Sequence, residues 1–299
     1  MLDYPSLSAV AAVVREGTFE RAAAALGITP SAVSQRVRGL EERLGAILII
    51  RGHPCEPTDL GRTLCAHLDR VRLLEHDLTP ALGRWPVGTG ERLVLPIAVN
   101  ADSLATWFPR AAAAFGRVAE VSLDLALDDE AHTVERLRSG EVLAAVTAER
   151  EPVQGCKTIP LGALRYAACA SPDFVGRYFA NGITTEALNR APYLRFDRRD
   201  FLQARWARAA HGIELLASAH WMPSTRGFLD MTLVGLGWGM HPCTMVEEHI
   251  MAGRLIELTP AHREEVPLYW TVARLHATAL SRLTEAVRAA AAGVLVSHG

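Results

Sequence analysis

The chain has 299 residues, 49% hydrophobic and 21% charged, enough for two or three compact units with a full core. Five cysteines with no C-x-x-C pair suggest neither a disulfide framework nor a zinc site, and they fit a reduced cytoplasm. The net charge of -2 counts weakly against nucleic acid as a partner, and no stretch approaches the ~20 apolar residues of a membrane span.

The N-terminus, LDYPSLSAVAAVVREG, has no basic leader and a short, periodic apolar run, so it predicts a first helix and no signal peptide. Residues 18–38, TFERAAAALGITPSAVSQRVR, then read as two helices joined by a tight turn. Thr18 is the N-cap of the first, Phe19, Ala22, Ala23 and Leu26 form its apolar face, and Gly27 ends it. Thr29 caps the second, with Pro30 at a position where a missing N–H costs nothing. Ala32, Val33, Val37 and Leu40 face inward, leaving Ser31, Ser34, Gln35, Arg36 and Arg38 on or near the outer face. Hydroxyls and Gln bond phosphates and base edges, and Arg supplies phosphate charge or reads guanine, so this predicts a recognition helix. A helical pair that only packs is the plain alternative.

Ile47–Arg51 has strand composition and precedes a proline-bounded turn, a β-wing in which Arg51 and His53 reach backbone phosphates or the minor groove. Acids and bases roughly balance over residues 1–58, so few phosphate contacts and a modest salt dependence are expected. Thr58 opens a long amphipathic helix with Leu60, Leu64, Leu68, Val71, Leu74 or Glu75, Leu78 and Leu82 at three- or four-residue steps. That stripe suits pairing with a second copy and so two recognition helices on major-groove faces ~34 Å apart. It equally suits a helix covering its own chain.

This order of parts resembles the LysR-type transcriptional regulators, with SAVSQRVRGLEERLG carrying most weight. The resemblance implies an N-terminal winged helix-turn-helix, a linker helix and a C-terminal sensing domain.

Residues 84–91 lose periodicity and gain Pro and Gly, which marks a hinge. Beyond it strand-like runs (RLVLPIAVN, VSLDLALD, EVLAAVT, RYAACA, APYLRF, MTLVGLGWGM) alternate with helical ones, predicting an α/β fold with parallel sheets and ligands at strand carboxyl ends. Leu164–Ala170 and Pro267–Val272 suit crossings between two lobes. The expected division is 1–58 winged helix-turn-helix, 59–83 linker helix, 84–91 hinge and 92–299 effector domain. Lobe one takes 92–164 and 267–299, and lobe two takes 165–266.

Val99-Asn100 followed by Ala101–Trp107 is a strand-to-helix junction suited to a carboxylate, with Ser103 and Thr106 adding hydroxyls. Pro223–Phe228, with Ser224 and Thr225, offers a matching capped helix from lobe two, although helix capping is the commoner use of such residues. Asp128, Asp129, Glu130 and His132 follow a strand, and Glu149 follows Thr147. Carboxylates beside a carboxylate-binding helix end suit a ligand with one carboxylate and two cationic groups, such as lysine or arginine. A solvated acidic loop is the ordinary alternative.

VNADSLATWF, DDEAHTVERLRSGEV, GALRY, VPLYW and GLGWGM are similar to the LysR-type branch called ArgP, LysG or IciA, whose members respond to basic amino acids and activate export genes. The resemblance implies that Ser103, Thr106 and Trp107 line an effector cleft, with Asp129, Glu130 and Thr147 opposite the amino groups. Gly140–Val146 departs from the wider family in holding an apolar residue where Asp is usual.

The expected protein is thus a cytoplasmic, non-enzymatic regulator with no cofactor or metal, its co-effector being lysine or arginine. Its expected partners are double-stranded promoter DNA, RNA polymerase, a basic amino acid and itself as dimer or tetramer, with no membrane. The sensing fold also resembles periplasmic binding proteins, but the helix-turn-helix opposes a transport role. The lack of H-x-x-x-H, H-E-x-x-H, nucleophile elbow and phosphate loop opposes catalysis. A different effector, or a replication-related or architectural DNA-binding role, remains the alternative.

Overall fold

The computed structural model describes residues 2–82, 93–127 and 130–297, the side chains of 79–82 and 130–132 excepted. The expected hinge at 84–91 lies outside the described residues, as do Asp128 and Asp129.

Three helices, α1 (Tyr4–Glu16), α2 (Phe19–Leu26) and α3 (Pro30–Leu44), close one apolar core around Leu7, Val10, Val13, Ala22, Val33, Val37 and Leu40. Thr18 and Thr29 cap α2 and α3, each accepting a backbone N–H at 3.2 Å. Gly27 ends α2 at φ 65°, a left-handed conformation that favours glycine. The wing is an antiparallel pair, β1 (Ile49–Ile50) and β2 (Glu56–Pro57). Glu41 Oε1 ties it to α3 by accepting the N–H of Leu48 at 2.8 Å.

Helix α4 (Asp59–Leu82) leaves the wing through Thr58, whose hydroxyl donates to the Ile47 carbonyl and accepts the Gly61 N–H. Two leucines of the stripe, and Leu73 beside it, pack against the chain itself. Leu64 and Leu68 pack into the N-terminal core, while Leu73 enters the core of the C-terminal domain. Leu60, Leu74 and Leu78 stay 40%, 40% and 55% exposed. A helix long enough to bridge two domains meets each with part of its apolar face, which a periodicity count does not separate.

The C-terminal domain begins with β3 (Val94–Val99), α5 (Ala101–Ala105), α6 (Phe108–Gly116), β4 (Ser122–Leu127), α7 (Glu130–Ser139) and β5 (Ala144–Thr147). A long strand β6 (Cys156–Ala170) leads to α8 (Pro172–Tyr178), α9 (Thr185–Arg190), β7 (Tyr193–Arg195), α10 (Leu202–His211) and β8 (Ala219–Trp221). Then follow α11 (Thr225–Leu233), β9 (Gly239–Pro242), α12 (Cys243–Met251), β10 (Ile256–Glu257), β11 (Glu264–Ala273) and α13 (Thr278–Ala292).

The main sheet runs β10-β6-β11-β5-β3-β4, with β9 also on β6. Strand β3 lies parallel to β4 and β5, whereas β6 and β11 are antiparallel neighbours. The sheet is therefore mixed, not parallel throughout. The chain passes outward on β6 and returns on β11, and two adjacent crossings in opposite senses must be antiparallel. Trp107, Phe108, Phe115, Trp206, Trp238 and Trp270 fill the core on which both lobes rest. MTLVGLGWGM is not one strand. Its first residues finish α11, because Ser224 caps that helix and Phe228, Leu229 and Thr232 form its buried face, and β9 starts only at Gly239.

Candidate DNA interface and effector cleft

The DNA-facing candidates lie on α3 and the wing. Thr29 is committed to its cap and also bonds the Ser31 hydroxyl at 3.0 Å. Ser31, Gln35 and Arg38 are exposed, and Ser34 and Arg36 partly so. Positions 31, 34, 35 and 38 share one helical face, with Val33, Val37 and Leu40 buried behind it. On the wing, Arg51 is exposed and its guanidinium sits 5.3 Å over the Phe19 ring, a cation–π contact that holds it beside α2. His53 is exposed at the wing tip. The adjoining Cys55 N–H donates to the Gly17 carbonyl at 2.7 Å, fixing the wing against the turn between α1 and α2.

The effector-facing candidates separate into buried and open groups. Asn100 Oδ1 caps α5 by accepting the Ser103 N–H at 3.0 Å. The Ser103 hydroxyl accepts Trp107 Nε1–H at 3.0 Å, and both residues have no exposed surface. The two side chains thus meet inside the junction. At i and i+4 they pair on the inward face of the junction, where the indole N–H needs a partner. Thr106 donates back to the Asp102 carbonyl at 2.6 Å. Thr147, at the end of β5, is buried and accepts the N–H of Glu149, which is itself exposed. Asp129 and the side chain of Glu130 lie outside the described residues. Across the cleft, exposed Ser224 caps α11 by accepting the Gly227 N–H at 3.2 Å.

Residue-by-residue reading of the sequence missed Asp102. Its Oδ2 accepts the Tyr166 hydroxyl at 2.6 Å and its Oδ1 accepts the Thr225 hydroxyl at 2.9 Å. One carboxylate thus joins α5, the crossing strand β6 and the first residue of α11. Burial pushes its carboxyl above the usual range, the two hydroxyl bonds pull it down, and nearby Asp200 adds to the rise. The Tyr166 phenol is pushed up in turn by burial and by Asp102. No spacing rule finds such a site, since the partners lie 64 and 123 positions away.

A helix-turn-helix with a wing, a bridging helix and a two-lobed mixed α/β domain together define a transcriptional regulator with a ligand-sensing domain. Residues 5–62 match the bacterial regulatory helix-turn-helix protein, lysR family, and residues 88–295 match the LysR substrate binding domain. The chain belongs to the LysR family, a family of regulators and not of enzymes.

Within that family it falls in the ArgP and LysG branch. It is 45% identical over 288 residues to the HTH-type transcriptional regulator ArgP of Pseudomonas fluorescens, with 95% of each chain covered. The crystal structure of ArgP from Mycobacterium tuberculosis is 38% identical, with a TM-score of 0.81 and complete coverage of both chains. Full-length LysG from Corynebacterium glutamicum, solved with bound effector Arg, is 36% identical with a TM-score of 0.69, covering 99% of this chain and 100% of that one. Among the described residues no helix is long and apolar enough to cross a membrane.

Proposed function

We propose that this regulator binds lysine or arginine between its lobes and thereby controls transcription of an amino-acid export gene. The observation that carries the reading is full-length similarity to a LysG solved with arginine bound, on a chain whose own lobes meet at a carboxylate. In this reading residues 1–58 hold promoter DNA, 59–83 link, and the effector sits between a lobe of 92–164 with 267–299 and a lobe of 165–266. Ser31, Ser34, Gln35, Arg36 and Arg38 face the major groove, while Arg51 and His53 face the backbone. Thr106, Thr147, Ser224 and Thr225, with Asp129, Glu130 and Glu149, surround the ligand. A basic amino acid then shifts the balance between two arrangements of paired sensing domains in a dimer or tetramer. Only differential affinity for those arrangements produces a shift, and a tenfold preference is worth ~1.4 kcal/mol. Altered spacing of the paired N-terminal domains changes how the promoter is presented to RNA polymerase, in the cytoplasm.

The test is a thermal-shift titration of the full chain with the twenty amino acids, since a ligand that binds only the folded state stabilises it. A selective rise with lysine or arginine supports the reading. A flat response to all twenty overturns the basic effector.

A further inference from the structure

We propose that Asp102 is the residue with which the cleft reads positive charge on its ligand's side chain, through a carboxylate held between the lobes by Tyr166 and Thr225. The inference rests on the basic amino-acid reading above. Asp102 is partly buried, and among the described residues the hydrogen-bond donors that reach its two oxygens are the hydroxyls of Tyr166 and Thr225. The charged neighbour acting on it is Asp200, another acid, and Asp200 is already committed to the backbone N–H groups of Phe196 and Leu202 and to the amide of Gln203. Neutral donors compensate a sunken carboxylate incompletely, whereas an ammonium or guanidinium does so by charge and hydrogen bond together.

The position also explains how charge becomes geometry. Asp102 lies in the first turn after β3, where α/β folds place ligands at strand carboxyl ends, and Thr225 opens α11 on the opposite lobe. A cation arriving at Asp102 therefore adds its attraction at the point where the two lobes touch. A neutral ligand of the same shape gains nothing from that attraction.

Isothermal titration of the full chain with arginine, lysine and citrulline, which keeps the amino-acid head group of arginine but has a neutral side chain, tests this. The unaltered protein is expected to favour arginine over citrulline. Asp102→Asn, folded by circular dichroism, is expected to lose arginine affinity by about tenfold or more with little change for citrulline. Equal arginine affinity in the two proteins overturns the inference while leaving the basic-ligand reading intact. Failure of the unaltered protein to bind arginine or lysine overturns that reading and this inference with it. Thr225→Val removes a neutral competitor and keeps the carboxylate, so it is expected to raise the arginine-to-citrulline ratio. An unchanged ratio counts against Asp102 whether or not Asp102→Asn folds.

Discussion

Asp77 of the linker helix accepts the backbone N–H of Thr278 at 2.7 Å, capping the last helix of the effector domain from another part of the chain. Helix α13 has no cap of its own, because Ala277 stands at its N-cap position. Asp77→Ala is expected to lower thermal stability by about 1 kcal/mol, the usual worth of a cap, with Asp77→Asn losing less. Because the bond joins linker to sensor, Asp77→Ala should also shrink the change in operator affinity that the effector produces. A melting curve and a gel-shift titration with and without arginine measure the two effects.

The α3 surface makes a separate prediction about DNA. Arg36 is partly exposed on the flank of α3, beside the face of residues 31, 34, 35 and 38, and is not one of the core side chains, so removing its charge leaves the packing of Val33, Val37 and Leu40 intact. Arg36→Ala is expected to weaken operator binding by about 1–3 kcal/mol if it reads a base. If it holds a phosphate, the loss is uniform across sequences and the salt slope falls by about one. Fluorescence anisotropy across a salt series separates these outcomes, and an unchanged affinity removes Arg36 from the interface.

Gly61 marks a tight contact between the linker helix and the wing. A Cβ there would stand 2.2 Å from the Leu48 carbonyl oxygen, which is backbone and cannot swing aside. Gly61→Ala is therefore expected to destabilise the chain by about 1–3 kcal/mol, despite alanine's better helix propensity. Chemical denaturation of the full chain checks it, and a stabilised variant would contradict the close approach.

How much of this was legible in the sequence depended on whether the signal was local. Thr18, Gly27, Thr29 and Pro30 punctuate their helices by short-range hydrogen bonding and backbone preference, so the helix pair was readable residue by residue. The mixed sheet was not, because strand direction at β6 and β11 follows from how the lobes connect and not from composition. The Ser103–Trp107 pair shows the same limit within one junction. The strand-to-helix junction is legible in the spacing, whereas the bond from the Trp107 indole to the Ser103 hydroxyl depends on the packing around it. Asp102 lies within the Ala101–Trp107 junction, yet its environment is made by Tyr166 and Thr225, brought to it only by folding.

His241 gives the pH prediction. It is 2% exposed on β9, against Phe228, and its Nε2 lies 3.0 Å from the Thr232 hydroxyl, which itself donates to the Phe228 carbonyl. The hydroxyl has one proton to give, so the imidazole Nε2–H acts as donor. Burial, with a smaller push from His249, depresses its pKa from 6.5 to about 3. The folded state thus binds this proton less readily than the unfolded chain. The stability it contributes is complete above the unfolded value of 6.5 and is lost as pH falls towards 3. Well below the unfolded value the loss approaches ~1.4 kcal/mol per pH unit from this site alone. Melting the chain and its His241→Gln variant between about pH 7 and about pH 5 isolates the effect from other titrating groups. The variant is expected to be less stable at neutral pH and to lose less on acidification. Parallel losses in both would show that another group controls the acid limb.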